Sequence, residues 1–243
     1  MSSHSFDHHP DYTPDEMMTV AAARTFRDSA TCFVGVGLPS AAACLARLLH
    51  APDIILVYES GAIGPKPTVP PLSIADDQLA DTADFIVSVP EIFSYWLQGG
   101  RIDMGFLGAA QIDRFANLNS TVIGDYRSPK VRMPGAGGAP QITAGAREII
   151  VVLRQTPRSF VARLDFLTTA RCSGRTTVIT DLGILEADPD TAELILTSCH
   201  PGVTVDRVRS ATAWPLKLAD VVSETPAPTT QELSALRDLH IAA

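Results

Sequence analysis

Short apolar runs interrupted by glycine and proline set the rhythm of this chain. Residues 32–36, 54–58, 84–89, 102–107 and 148–153 each read as a strand, and the most continuous of them suit strands buried on both faces of a parallel sheet. Between them lie helical patterns. Thr13-Pro14-Asp15-Glu16 places a capping threonine, a proline in the first turn and two acids at a helix start, and Met17, Val20 and Phe26 continue it to about residue 28. Gly37-Leu38-Pro39-Ser40 turns a strand into a second helix ending near Leu49. Pro90-Glu91 opens a third, whose Phe93, Tyr95, Trp96 and Leu97 read as core residues before Gly99-Gly100 closes it. The second half turns strand-rich, with expected strands at 160–166, 176–180, 183–186 and 192–197, a helix at 203–211 and a final helix at 229–240. The fold class expected is therefore α/β: a mainly parallel open sheet flanked by helices, with added antiparallel strands in the C-terminal half. A single domain is expected over residues 13–243, behind a disordered tail at 1–12.

Composition narrows the partners more than the fold. The chain has 243 residues, 46% of them hydrophobic and 19% charged, as in a globular protein with a sizeable core. Its formal net charge of −8 argues against nucleic acid or an anionic membrane surface, while leaving room for a small anionic substrate at a local basic cluster. The polar start lacks a signal peptide's basic and apolar regions, and no transmembrane run follows, so a cytoplasmic location is expected. Cys32, Cys44, Cys172 and Cys199 are widely spaced, with no metal-binding pattern, and read as small core residues in a reducing compartment. His4, His8 and His9 sit in the expected tail, and no metal site is expected.

The chemistry gathers at three strand ends. Glu59 follows the apolar run Ile54-Ile55-Leu56-Val57-Tyr58 and precedes Ser60-Gly61. At the carboxyl edge of a parallel sheet, where ligands bind, such an acid is a candidate nucleophile; it could equally end a strand facing water or pair with a nearby arginine. Gly108-Ala109-Ala110-Gln111-Ile112-Asp113 leads to Asn117-Leu118-Asn119, and Pro134-Gly135-Ala136-Gly137-Gly138-Ala139-Pro140 lets backbone amides turn toward a ligand. A glutamate is ordinarily charged at neutral pH and can attack a thioester without a separate base. The oxyanion it creates needs donors, for which the amides of Gly137 and Gly138 and the side chains of Asn117 or Asn119 are the candidates. Lys130 and Arg132, with Arg127 and near Gly135, form a basic cluster that could meet a substrate's phosphates or a distal carboxylate, or simply face solvent. The proline-rich loop at 64–71 suits a wall close to Glu59; its Lys66 could meet a substrate carboxylate or face solvent.

In this order, Tyr58-Glu59-Ser60-Gly61, the 108–113 segment with Asn117-Leu118-Asn119, Ile123-Gly124-Asp125-Tyr126 and Gly135-Ala136-Gly137-Gly138-Ala139 resemble the β subunits of class I CoA-transferases, from about Asp15 to the final helix. The likeness is greatest to those acting on 3-oxoadipate in aromatic-compound degradation, and less to the glutaconate type. It implies that Glu59 is the catalytic nucleophile, that CoA passes through a glutamyl-CoA thioester in a ping-pong cycle with an acyl-CoA such as succinyl-CoA as donor, and that coenzyme A is a substrate rather than a cofactor. In hydrolase and decarboxylase relatives that glutamate is replaced. The resemblance further implies an α subunit in an α2β2 assembly, without which this chain is expected to be inactive. Two departures stand out: Arg171-Cys172-Ser173-Gly174-Arg175 is shorter than the family's glycine-rich segment, and Ala116 stands where relatives usually have glycine. The competing readings are a CoA-thioester hydrolase using Glu59 to activate water and a noncatalytic α/β module.

Overall fold

A computed structural model describes residues 11–171 and 174–241. His4, His8, His9 and Cys172 lie outside the described residues. Thr13 caps α1 (Pro14–Ala23) through a reciprocal capping box with Glu16, as the local sequence requires. In chain order there follow β1 (Thr31–Phe33), α2 (Leu38–Leu49), β2 (Ile55–Val57), β3 (Ala62–Ile63), α3 (Asp77–Asp81), β4 (Phe85–Ile86) and α4 (Val89–Glu91), which widens into a π-helix over Ile92–Leu97. Next are β5 (Met104–Leu107), β6 (Gln111–Ile112), β7 (Leu118–Asn119), β8 (Val122–Gly124), β9 (Pro129–Arg132), α5 (Ala139–Gly145) and β10 (Glu148–Val152). The chain closes with β11 (Arg175–Ile179), β12 (Gly183–Ala187), β13 (Leu194–Cys199), α6 (Val205–Ser210), β14 (Lys217–Glu224) and α7 (Thr230–Ile241).

Ten strands form one sheet in the order β14-β13-β12-β11-β10-β5-β1-β2-β3-β4. Its centre, β2-β1-β5-β10-β11, is parallel throughout. The C-terminal side adds β12 and β13 antiparallel, with β14 parallel to β13. This is the expected fold class. Because β2 and β5 flank β1 on opposite sides, the strand order reverses between β1 and β5, and the crevice beyond their carboxyl ends is where an open α/β sheet receives a ligand. Apolar side chains cover both faces. Met17, Leu45, Phe106 and Leu236 lie in one core, where Phe26 stacks on Phe106 at 4.2 Å, and Leu97, Ile142, Ile149 and Phe160 in the other.

Some local expectations fail for tertiary reasons. β2 is only three residues long and Ile55 is 37% exposed, so just Leu56 and Val57 are buried strand positions. Residues 160–166 form no strand: Phe160 makes a single bridge to Ile112, and the loop beyond is held by Asp165, which accepts from Gln111 Nε2 and the Gly124 amide. The 84–89 segment does not join the parallel set, because β3 and β4 extend the edge beside β2 antiparallel. The expected tail is too long at its inner end. Tyr12 is buried in the core and Asp11 accepts a hydrogen bond from Arg237 through its carbonyl, so packing begins no later than Asp11.

Candidate active site

Glu59 is presented on a tight turn at the carboxyl end of β2. The Gly61 amide donates to Tyr58 O and the Tyr58 amide to Ala62 O, each at 3.0 Å, leaving Glu59 and Ser60 at the tip. Gly61 has φ +110°, and a Cβ there would lie 2.1 Å from Val87 O. No other residue fits both demands. Beneath the turn, Ser40 Oγ donates to Gly35 O at 2.8 Å and, its one proton committed there, accepts from Tyr58 OH at 3.1 Å. Burial raises the Tyr58 pKa, with the Ser40 bond acting the other way, so the phenol stays protonated and ties the ends of β1 and β2 together.

The glycine bend reaches the same place through helix packing. Gly105 on β5 leaves room for Ile142, whose Cγ2 would be 2.5 Å from a Cβ there, and Gly145 lets the end of α5 lie against Leu97 O, 2.8 Å from its own would-be Cβ. The helix therefore sits low on β5 and on the π-helix. Its capping residue, Gly138, comes to the Glu59 turn: a Cβ at Gly138 would be 3.6 Å from Glu59 Cδ and 2.9 Å from Cε1 and Cζ of Phe93. In the bend the Gly135 amide donates to Ser120 O and the Ala139 amide to Ala136 O, while the amides of Gly137 and Gly138 have no partner among the described residues. A half-buried carboxylate beside unengaged amides and an aromatic edge can attack an acyl carbon and have the resulting oxyanion met.

A family model for "Coenzyme A transferase" matches residues 15–211. This chain belongs to the coenzyme A transferase family. It is 55% identical to one of the subunits of 3-oxoadipate CoA-transferase from Pseudomonas knackmussii, across 94% of this chain and 93% of that one. Among solved structures, glutaconate coenzyme A-transferase from Acidaminococcus fermentans superposes with a TM-score of 0.87 at 28% identity, covering 95% of each chain. The decarboxylase AibA/AibB does so with 0.84 at 27% identity, over 93% and 94% of the two chains.

Within this CoA-transferase chain several expected site residues turn out to be scaffold. Asn117 donates from Nδ2 to Asp113 and accepts the Arg171 amide, each at 3.0 Å. Asn119 is fully buried, donates from Nδ2 to Gln111 Oε1 and Val122 O at 2.7 Å each, and accepts the Thr121 amide at 3.0 Å. Asn119 has both N–H groups of its amide spent and cannot hold an oxyanion, whereas Asn117 commits one of its two N–H groups to Asp113; both knit the strands that support the glycine bend. Gly135 likewise has its amide and carbonyl engaged by Ser120, which removes its N–H as a CoA donor. Arg132 donates to Tyr126 O at 2.7 Å and lies over that ring, while Lys130 is exposed on β9. The proline loop is not the wall beside Glu59. Pro67 O accepts from Arg47, two turns down α2 from Ser40, and Lys66 is paired with Asp84.

The residue missed was Phe93, read as core but half-buried against Gly138. The available signal was Gly99, whose would-be Cβ lies 2.0 Å from Tyr95 O: only glycine tolerates that wide turn. The thiols stand apart from the chemistry. Burial pushes Cys32 up to about 12, with Asp103 adding to it, and Cys44 to about 11, so neither is a ready nucleophile. No group of three or more His, Cys, Asp or Glu side chains among the described residues could hold a metal ion.

Proposed function

We propose that this chain supplies the nucleophilic glutamate of a CoA-transferase that delivers CoA to 3-oxoadipate, with succinyl-CoA as donor. Support comes from the approach of the Glu59 carboxyl carbon to Gly138, 3.6 Å from its would-be Cβ, in a chain so similar to part of a 3-oxoadipate CoA-transferase. Glu59 attacks the thioester carbonyl, the Gly137 and Gly138 amides receive the oxyanion, and the C–S bond breaks to leave a mixed anhydride and CoA thiolate. The thiolate then attacks the glutamyl carbonyl, releasing the donor acid as its carboxylate and leaving CoA on Glu59. The acceptor carboxylate repeats both steps in reverse. No proton, metal or redox cofactor is consumed, since every entering and leaving group is an anion.

A companion α subunit completes the pocket, in an α2β2 assembly. The exposed apolar side chains of Phe85, Ile86, Val89 and Tyr95, at the sheet edge that continues from the Glu59 turn, support a partner on this side. No described helix is long and apolar enough to cross a membrane, and the thiols of Cys32, Cys44 and Cys199 are buried and free, which suits a reducing cytoplasm. The test is co-expression with the companion subunit and incubation with succinyl-CoA and 3-oxoadipate. CoA on 3-oxoadipate, a borohydride-reducible label on Glu59 and loss of both in Glu59→Ala are expected. Free CoA released steadily without acceptor would instead make the protein a hydrolase.

A further inference from the structure

Phe93 lies where no nucleophile or oxyanion donor is needed, yet it shares a point of contact with Glu59. We propose that its ring is the water-excluding wall of the Glu59 pocket and sets how the glutamyl-CoA thioester divides between an acceptor acid and water. The inference rests on the covalent cycle above.

The π-helix delivers the ring. Bonds from the Gln98 amide to Phe93 O and from the Arg101 amide to Trp96 O each span five residues, so this turn is wider than an α-turn. Ile92 and Leu97 anchor it in the core, and Phe93 between them is left half-buried at the core's margin, with its ring edge reaching Gly138. Phe33, at the end of β1, backs the ring at a centroid distance of 6.5 Å. Gly138 is the residue that makes the contact possible, because any side chain there would occupy the space the ring edge fills.

The chemistry explains why a wall is needed. Once CoA is on Glu59, a water oxygen attacking the glutamyl carbonyl forms a C–O bond and breaks the C–S bond. CoA leaves as thiolate and takes one of the two protons that water loses, and the other passes to solvent as the carboxylate re-forms. The glutamate is restored and the thioester energy is lost. A carboxylate acceptor attacks the same carbon and enters with its own carbon chain, which can lie along an apolar ring; a lone water beside that ring loses hydrogen-bond partners.

The test uses the protein assembled with its companion subunit. After loading with acyl-CoA donor and removal of free acids, intact mass follows the CoA adduct and a thiol reagent follows released CoA. The wild-type adduct should be long-lived, and Phe93→Ala should shorten its lifetime by about tenfold or more while initial transfer to acceptor falls much less. Phe93→Met, similar in length and apolar, should restore the lifetime to within about twofold, which a general loss of packing would not predict. Should the alanine variant fail to assemble, Phe93→Val is read in its place with the same expected shortening. An unchanged adduct lifetime in either assembled variant overturns the role given to Phe93. A wild-type protein that turns over without any adduct on Glu59 overturns the covalent cycle itself, a different result from the first.

Discussion

Replacing Gly138 by alanine inserts one methyl group between the glutamate, the glycine bend and the aromatic wall. The backbone tolerates it, since Gly138 has φ −84° and ψ 0° and needs no left-handed conformation. The new Cβ would sit 2.9 Å from two ring carbons of Phe93, so the ring must move by several tenths of an ångström, and it would rest 3.6 Å from Glu59 Cδ, in ordinary contact. Overpacking of this kind costs ~1–3 kcal/mol, and a half-buried ring that can rotate away puts the cost near ~1 kcal/mol, or a fall in Tm of about 2–4 °C for a chain this long. Activity should suffer far more. The methyl fills the volume that a tetrahedral acyl carbon and its oxyanion must enter, holding them off the Gly137 and Gly138 amides; a 1 Å misplacement costs on the order of 100-fold, and loss of a donor ~100- to 1,000-fold. Gly138→Ala in the assembled enzyme should therefore lower kcat at least about 100-fold with an almost unchanged melting curve. A folded variant within about threefold of wild-type kcat would show that the bend is not beside the reacting carbonyl, whatever its distance from Glu59.

Asn119→Ala should act on stability first: it strands the buried Val122 carbonyl and the Thr121 amide, while Gln111 Oε1 keeps the Asp165 amide, for a loss of about 3 kcal/mol read as a fall in Tm of about 6–12 °C. A large drop in kcat with an unmoved Tm would return it to the oxyanion hole. Ala116 holds φ +60° while 3% exposed, so Ala116→Gly relieves ~1–2 kcal/mol of backbone strain and gives up ~0.8 kcal/mol of methyl burial and some chain entropy. The Tm should stay within about 3 °C, where an unstrained alanine would lose more. Glu232 answers to pH: burial acts upward, but bonds from Arg24 and from the Thr229 amide and hydroxyl hold its pKa at about 2. A folded value below the unfolded one gives stability that is complete above about pH 4.5 and lost as pH falls toward 2. In urea titrations the gap between wild type and Glu232→Gln should be widest near neutrality and close across that window; a gap independent of pH would contradict it.

The capping box at Thr13 and Glu16 and the glycine turn after Glu59 were legible in the chain because each depends on a few neighbouring residues: a hydroxyl reaching an amide three positions on, and a φ that only glycine adopts freely. The class of sheet was legible for a similar reason, since strands covered on both faces must be apolar along their length. Strand ends were less so. The alternation at 160–166 imitates a strand, yet Asp165 spends its carboxylate on Gln111 and Gly124, and no local pattern announces a partner more than forty residues away.

Sequence alone singled out the acid and the bend as the reactive parts, since glutamate and consecutive glycines have chemical properties independent of their surroundings. Tertiary structure decided which donors remain free. Asn117 and Asn119 have the right functional group, but Asn119 spends both its N–H groups in the core and Asn117 turns one of its two to Asp113, while the Gly137 and Gly138 amides are left over by the geometry of their turn. It also decided what shields the acid, because the width of a helical turn and the closeness of two glycine-faced elements depend on packing between segments that the chain keeps far apart.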